Sequence, residues 1–209
     1  LEFNVGIPIR GNVGLQVVRA KQNATGVAWD GVKQQAVPMS FDKSYTDTLP
    51  SLNLAAEITK TTYVRFGAAK VLARPNMEDM RAGFSASVAT SGASLGQWSG
   101  SGGNPMLEPW RANALDLSVE QYLGKRSYVS AAVFQKKLKN SIYVETFDFD
   151  FSGFPNSTGV TPVSNIGRLT APVNGEGGKI KGVELAAALD GGLITPALDG
   201  LGIIASYSD

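Results

Sequence analysis

The stretch GGNPMLEPWRANALDLSVEQYLGKRSYVSAAVFQKKLKNSIY, residues 102–143, decides the fold. It opens in turn chemistry, passes into strict alternation, halts at Gly124-Lys125-Arg126-Ser127 and alternates again. At period two, Leu115, Leu117 and Val119 share one face and Asp116, Ser118 and Glu120 the other. After the halt, Val129, Ala131 and Val133 alternate with Tyr128, Ser130 and Ala132. Two such runs around a tight turn predict a β-hairpin. A carboxylate on the polar beats suits a soluble sandwich with one wetted face. It equally suits a wide barrel whose hydrated lumen tolerates charge while its outer face must be apolar.

Outward from this hairpin the pattern recurs. Val13, Leu15 and Val17 alternate with Gly14, Gln16 and Val18; Leu52, Leu54, Ala56 and Ile58 with Asn53, Ala55 and Glu57. Val64, Phe66 and Ala68 oppose Arg65, Gly67 and Ala69, and Val183, Leu185, Ala187 and Leu189 oppose Glu184, Ala186 and Ala188. With Leu201, Ile203 and Ala205 near the end, the chain reads as about seven strands and a stub. The connections alternate in length. Compact links are expected at residues 10–12, 59–61, 124–127 and 191–200, and long polar ones at 22–44, 75–111 and 146–178. Compact soluble domains rarely carry several structureless loops beyond about 12–15 residues, whereas outer-membrane barrels pair short periplasmic turns with long extracellular loops. Pro50 and Pro75 are expected toward strand ends, where a missing amide donor is tolerated.

Composition removes several classes. Of 209 residues, 43% are hydrophobic and 18% charged, an ordinary folded composition. Nineteen basic residues against eighteen acidic ones, with no basic run, argue against a nucleic-acid partner. Without cysteine or histidine the chain has no thiol nucleophile, no Ser-His-Asp triad and none of the commonest transition-metal ligands. No catalytic residue, metal or cofactor is assigned. Asp116 and Glu120 lie about 13 Å apart along a strand, too far for a glycosidase pair at about 5–9.5 Å. The glycines of VNGEGGK lack phosphate-loop spacing. LEFNVGIPIRGN carries no signal-peptide pattern, and LGIIASYSD reads as a strand cut short, so the chain is expected to be an excerpt.

GGNPMLEPWRANALDLSVEQYL resembles the barrel signature of TonB-dependent outer-membrane receptors, in which a Gly-Asn-Pro, Leu, Pro run leads into a strand ending in Glu and an aromatic. IRGNVGLQVVRA, YTDTLPSLNLAAEITKTTYVRFGAAKVLARPNMEDM, AAVFQKKLKNSIY and VNGEGGKIKGVELAAALD follow the family's order across most of residues 10–209. The resemblance extends, more loosely, to the proteobacterial carbohydrate-uptake receptors. It implies an all-β, antiparallel up-and-down transmembrane barrel of about 22 strands around a plug, of which residues 1–209 supply a partial wall of about seven or eight strands. The plug, the TonB box and the final strand would lie outside this excerpt. The implied function is active, non-enzymatic uptake of a scarce nutrient, an oligosaccharide or a ferric siderophore, across the outer membrane of a Gram-negative bacterium. Its implied partners are the TonB complex, the plug, the bilayer and lipopolysaccharide. A passive porin and a secreted β-rich binding protein are the alternatives.

Within that reading Arg65, Asp116, Glu120 and Glu184 face the lumen and plug. The candidate ligand contacts are Trp98, Trp110, Phe147, Asp148, Phe149, Asp150, Phe154 and Asn156: rings for stacking on sugar C–H faces, and polar groups for hydroxyls. The same rings suit an interfacial girdle or packing between loops, and Phe147, Phe149 and Phe151 suit a strand that continues past the membrane.

Overall fold

A computed structural model describes residues 1–30 and 35–209, and side chains outside residues 28–37. In chain order the strands are β1 (Glu2–Asn4), β2 (Pro8–Asp30), β3 (Gln35–Thr59), β4 (Thr62–Ala73), β5 (Phe84–Val88), β6 (Trp98–Gly102), β7 (Trp110–Leu123), β8 (Ser127–Leu138), β9 (Asn140–Asp150), β10 (Ile166–Glu176), β11 (Lys179–Asp190) and β12 (Gly202–Ser208). Eight of them form one sheet in the order β1-β2-β3-β4-β7-β8-β11-β12. Every neighbouring pair in it is antiparallel, as an up-and-down wall requires.

The register carries the alternation from strand to strand. Leu54, Phe66, Leu117, Val133 and Val183 lie directly opposite one another across five strands. Ala56, Val64, Val119, Ala131, Leu185 and Tyr207 make the next row. This face is exposed: Leu117, Val133 and Leu185 keep 46–48% of their surface. A continuous apolar face of this extent is an aggregation hazard in water and the required surface in hydrocarbon. Among the described residues no helix is long and apolar enough to cross a membrane.

The compact links lie at one end of the wall. Thr59 and Thr62 flank the β3–β4 turn with their hydroxyls 2.7 Å apart, and Gly124, at φ +74°, makes the β7–β8 turn. Residues 10–12, expected as a link, instead lie inside β2, and the bend before them sits at Gly6, φ +89°. Gly11 is held on both sides: opposite Leu54 on β3, and donating to the Leu1 carbonyl at 3.0 Å. Its glycine serves close approach rather than a turn, because a Cβ there would stand 2.2 Å from the Asn53 carbonyl oxygen. Pro50 likewise sits well inside β3. It is tolerated because β3–β4 pairing ends at Ser51↔Ala69, so Pro50 has no partner on that side.

The long connections are not structureless. β2 and β3 stay paired out to Asp30↔Gln35. Residues 75–111 contain β5 and β6, and residues 146–178 contain the end of β9 and all of β10. These four strands form a second sheet, β5-β6-β10-β9, in which β6 and β10 run parallel. One face closes over Val88, Trp98, Phe151 and Leu169, with Phe147, Phe149, Phe154 and Val160 packed around them. The lobe thus has its own core above the wall.

Candidate functional site

The polar beats of the wall meet on its concave face. Arg10, Asn53, Arg65, Asp116, Lys136 and Glu184 line an open trough of about 790 Å³. Arg65 Nε donates to Glu120 Oε1 at 2.8 Å and the Tyr122 hydroxyl donates to Oε2 at 3.1 Å, so Glu120 is already engaged. Asp116, Lys136 and Glu184 make no ion pair among the described residues. Gly182 shares this face, and the Phe134 ring lies over it where a Cβ would come within 2.6 Å.

At the rim, residues 103–111 form a strap across the end of the wall. Gln22 Nε2 donates to the Pro105 and Leu107 carbonyls at 3.4 and 3.5 Å, and Lys43 Nζ to the Met106 carbonyl at 2.6 Å. Asn174 Nδ2 donates to the Glu108 carbonyl and Asn140 Nδ2 to the Pro109 carbonyl, at 3.0 and 2.9 Å. Five consecutive carbonyls, from Pro105 to Pro109, therefore accept from side chains of β2, β3, β9 and β10. Leu107 and Pro109 are fully buried. Arg111 fixes the strap's end: it donates to both oxygens of Asp47 at 2.7 and 3.1 Å and to Glu108 at 2.9 Å, and its guanidinium lies 5.7 Å from the Tyr45 ring centroid. The Arg111 hydrogen bond, reinforced by Lys43 and opposed by burial, holds the Glu108 carboxyl below its ordinary range.

The lobe accounts for most of the ring residues singled out in the sequence. Trp98 is 3% exposed and stacks on Phe151, centroids 5.3 Å apart. Phe149 and Phe154 meet Phe151 edge to face. Asp148 pairs with Arg168 at 2.7 Å. Asp150 accepts from the Ser152 hydroxyl and amide, which lower its pKa. Asn156 donates to the Val160 carbonyl and accepts from Thr158, closing its own turn. Trp110 stands apart at the start of β7, 36% exposed. These eight residues do not converge on one site: alternation along β9 puts Asp148 and Asp150 on the face opposite Phe147 and Phe149.

An apolar cavity of about 320 Å³ lies between the lobe and the β2–β3 hairpin, lined by Met39, Phe41, Phe84, Pro105, Phe147 and Phe154 among others. Among the described residues no charged side chain lines it. Phe41, half-buried, and Phe84, 38% exposed, lie in stretches that read as long polar links. Among the described residues no cluster of acidic side chains could hold a metal ion.

An antiparallel wall with an apolar convex face, a polar concave face, compact links at one end and folded extensions at the other is a section of a transmembrane β-barrel. Residues 1–209 match the family model described as TonB dependent receptor-like, beta-barrel, and the chain belongs to that family. Its fold is similar to that of a ferric enterobactin receptor (PfeA) mutant from Pseudomonas aeruginosa, with a TM-score of 0.60 at 18% identity over 94% of this chain and 26% of that one. The siderophore receptor PirA from Acinetobacter baumannii gives 0.52 at 16% identity over 91% and 33%. A Serratia marcescens hemophore receptor HasR mutant, in complex with its hemophore HasA and heme, gives 0.50 at 14% over 87% and 29%. The chain thus spans between a quarter and a third of these structures. No curated protein matches the sequence.

Proposed function

We propose that these residues form part of the wall of an outer-membrane active-transport receptor, which binds a scarce nutrient at its extracellular rim and imports it with energy delivered by the TonB complex. The observation that carries this reading is the concave trough, where Asp116, Lys136 and Glu184 stand unpaired among the described residues. An internal plug supplied by the rest of a longer chain would meet these groups, while Arg65 and Glu120 brace the wall beside it. No bond in the nutrient is made or broken. The bilayer and its lipopolysaccharide surround the convex face.

A ferric siderophore is the preferred cargo. The rim offers an apolar, ring-lined cavity of a volume that suits small ligands, and the similar structures include receptors named for ferric enterobactin and siderophores. The oligosaccharide reading has one feature in its favour, the exposed ring of Trp110. Uptake of labelled ferric siderophores and maltooligosaccharides by cells carrying the full-length protein, with and without proton motive force, separates the readings. Energy-dependent uptake of a ferric siderophore supports the proposal. Energy-dependent uptake of an oligosaccharide alone overturns the cargo assignment. Energy-independent leakage of many solutes replaces the receptor with a porin.

A further inference from the structure

We infer that the apolar cavity at the rim takes the hydrocarbon tail of an acylated chelate, so that the cargo is an amphiphile whose metal-binding head stays outside the cavity. The inference deepens the siderophore reading above and rests on it. The β2–β3 hairpin and the lobe wall the space from two sides, and the strap floors it at Gly103, Asn104 and Pro105. The hairpin is seated by its backbone against the approach to β5: a Cβ on Gly26 would stand 1.6 Å from the Ala82 carbonyl oxygen. On the lobe side the Phe84 ring is held by Phe154 and Phe149, with centroids 5.1 and 5.5 Å away. Both walls are therefore built before any ligand arrives.

The chemistry of the lining excludes the head and admits the tail. Asn104 carries the one polar side chain among the described lining residues, and both its ends are engaged: Nδ2 donates to the Pro172 carbonyl at 3.1 Å, and Oδ1 accepts from the Met106 amide at 2.9 Å. An occupant with hydroxyls, carboxylates or a metal centre would lose its water inside and gain no side-chain partner, a penalty for each polar group buried. A hydrocarbon loses nothing. An apolar cavity of even about 150 Å³ stays dry and takes an apolar guest.

Shape selects a chain over a ring. Leu169, Ala171 and Val173, at alternate positions of β10, run along one wall. From the first to the last is about 13 Å of strand. Dividing the 320 Å³ by that length gives a mean cross-section of about 25 Å², room for one hydrocarbon chain in single file. At about 1.3 Å advanced per carbon–carbon bond, the run accommodates about ten carbons. The mouth lies at the hairpin, where Val27 and Met39 keep 66% and 40% of their surface. A tail enters past Met39 and ends against the strap, which Asn104 ties to Pro172 of β10.

The test uses the full-length receptor in nanodiscs, titrated with ferric dihydroxamate chelates whose acyl chains carry two, six, ten or fourteen carbons, with protein-free nanodiscs as the blank. Burying one methylene is worth roughly fourfold in affinity. With partial burial allowed for, binding should tighten at least tenfold from two to ten carbons and less than twofold from ten to fourteen. Gly83→Leu fills the space, since a Cβ there meets nothing within 4 Å, and should remove the gain from two to ten carbons. Met39→Ala lengthens the run at an exposed position and should move the plateau to longer chains, which keeps the inference testable if Gly83→Leu fails to assemble. Lys125→Gln, at the opposite end of the wall, should change nothing. Affinity independent of chain length, including no binding at any length, would overturn the tail site, as would a gain that both cavity variants leave intact. Tenfold tighter binding of a biphenyl-bearing chelate than of the ten-carbon one would overturn the choice of a chain. Energy-dependent uptake of ferric siderophores by cells with no effect of chain length refutes only this inference, whereas the absence of any such uptake refutes the reading beneath it.

Discussion

Replacing Arg111 by Met should open the rim while leaving the wall intact. Arg111 and Asp47 keep only 24% and 15% of their side-chain surface, so the pair lies between the exposed and buried limits. Exposed ion pairs contribute about 0–1 kcal/mol, and losing one partner of a fully buried pair costs about 3–5 kcal/mol. Hydrogen bonds to charged groups are each worth about 1.5–3 kcal/mol, and Arg111 makes two to Asp47 and one to the half-exposed Glu108. With partial exposure discounted, about 2–3 kcal/mol of local stability should be lost, or about 30- to 150-fold in the opening equilibrium. Hydrogen exchange of the full-length receptor in a bilayer reads this directly. Peptides covering residues 40–48 and 103–110 should exchange faster by that factor, while peptides from residues 128–138 should not. Adding Asp47→Asn should recover part of the loss, because it removes the carboxylate left unpaired. Acceleration below threefold at the rim, or equal acceleration throughout the wall, would refute the strap as a local clamp.

Three further outcomes follow from the geometry. Val133→Arg puts a charge in the middle of the convex apolar face at a cost of roughly 2–4 kcal/mol to insertion, so the heat-modifiable fraction should fall; normal assembly would mean that this face does not meet lipid. Trp98→Ala removes a ring that is 3% exposed and should cost the lobe about 3–5 kcal/mol, seen as protease cleavage within residues 84–102 on intact cells with the wall resistant. Glu108 has its carboxyl lowered from 4.5 by the Arg111 hydrogen bond, so its contribution to the strap is complete above that value and is lost as pH falls through the depressed one. Exchange at residues 103–110, corrected for its intrinsic rate, should therefore rise below about pH 4.5 in the parent but stay flat in Glu108→Gln.

The wall was legible because its signal is redundant. Each strand repeats the same two-residue period, and one wrong register would turn Leu117 and Val133 inward together with every other apolar residue of their strands. The rim was not legible for the opposite reason. Its pairing is non-local, with Leu169 of β10 lying beside Gly100 of β6 in a parallel pair, and its strands are short and rich in Ser and Gly, as in Phe84–Val88 and Trp98–Gly102. Composition read these residues as loop; the fold gathers the rings of Phe147, Phe149 and Trp98 in one cluster, the packing between loops that the sequence allowed beside a ligand role. The misread link at residues 10–12 has a similar cause. Gly11 signals both turn and close approach, and only the position of Asn53 on the next strand separates them.

The strap shows why a Gly-Asn-Pro, Leu, Pro phrase precedes the strand. A segment crossing the rim outside any ladder must satisfy its backbone by other means, because a buried unpaired peptide group costs as much as a lost hydrogen bond. Pro105 and Pro109 have no amide to satisfy. Of the remaining amides, Met106 donates to Asn104 Oδ1, Leu107 to the Asn104 carbonyl, Glu108 to Asn174 Oδ1 and Arg111 to Asn140 Oδ1. Three asparagines therefore serve as both donor and acceptor, and two of them reach the strap from β9 and β10. The opposite side is held by Gln22 and Lys43 from β2 and β3. These two hairpins are the ones that border the apolar cavity, which is also lined by Asn104 and Pro105 of the strap itself. The spacing of the cavity walls is consequently set by the strap.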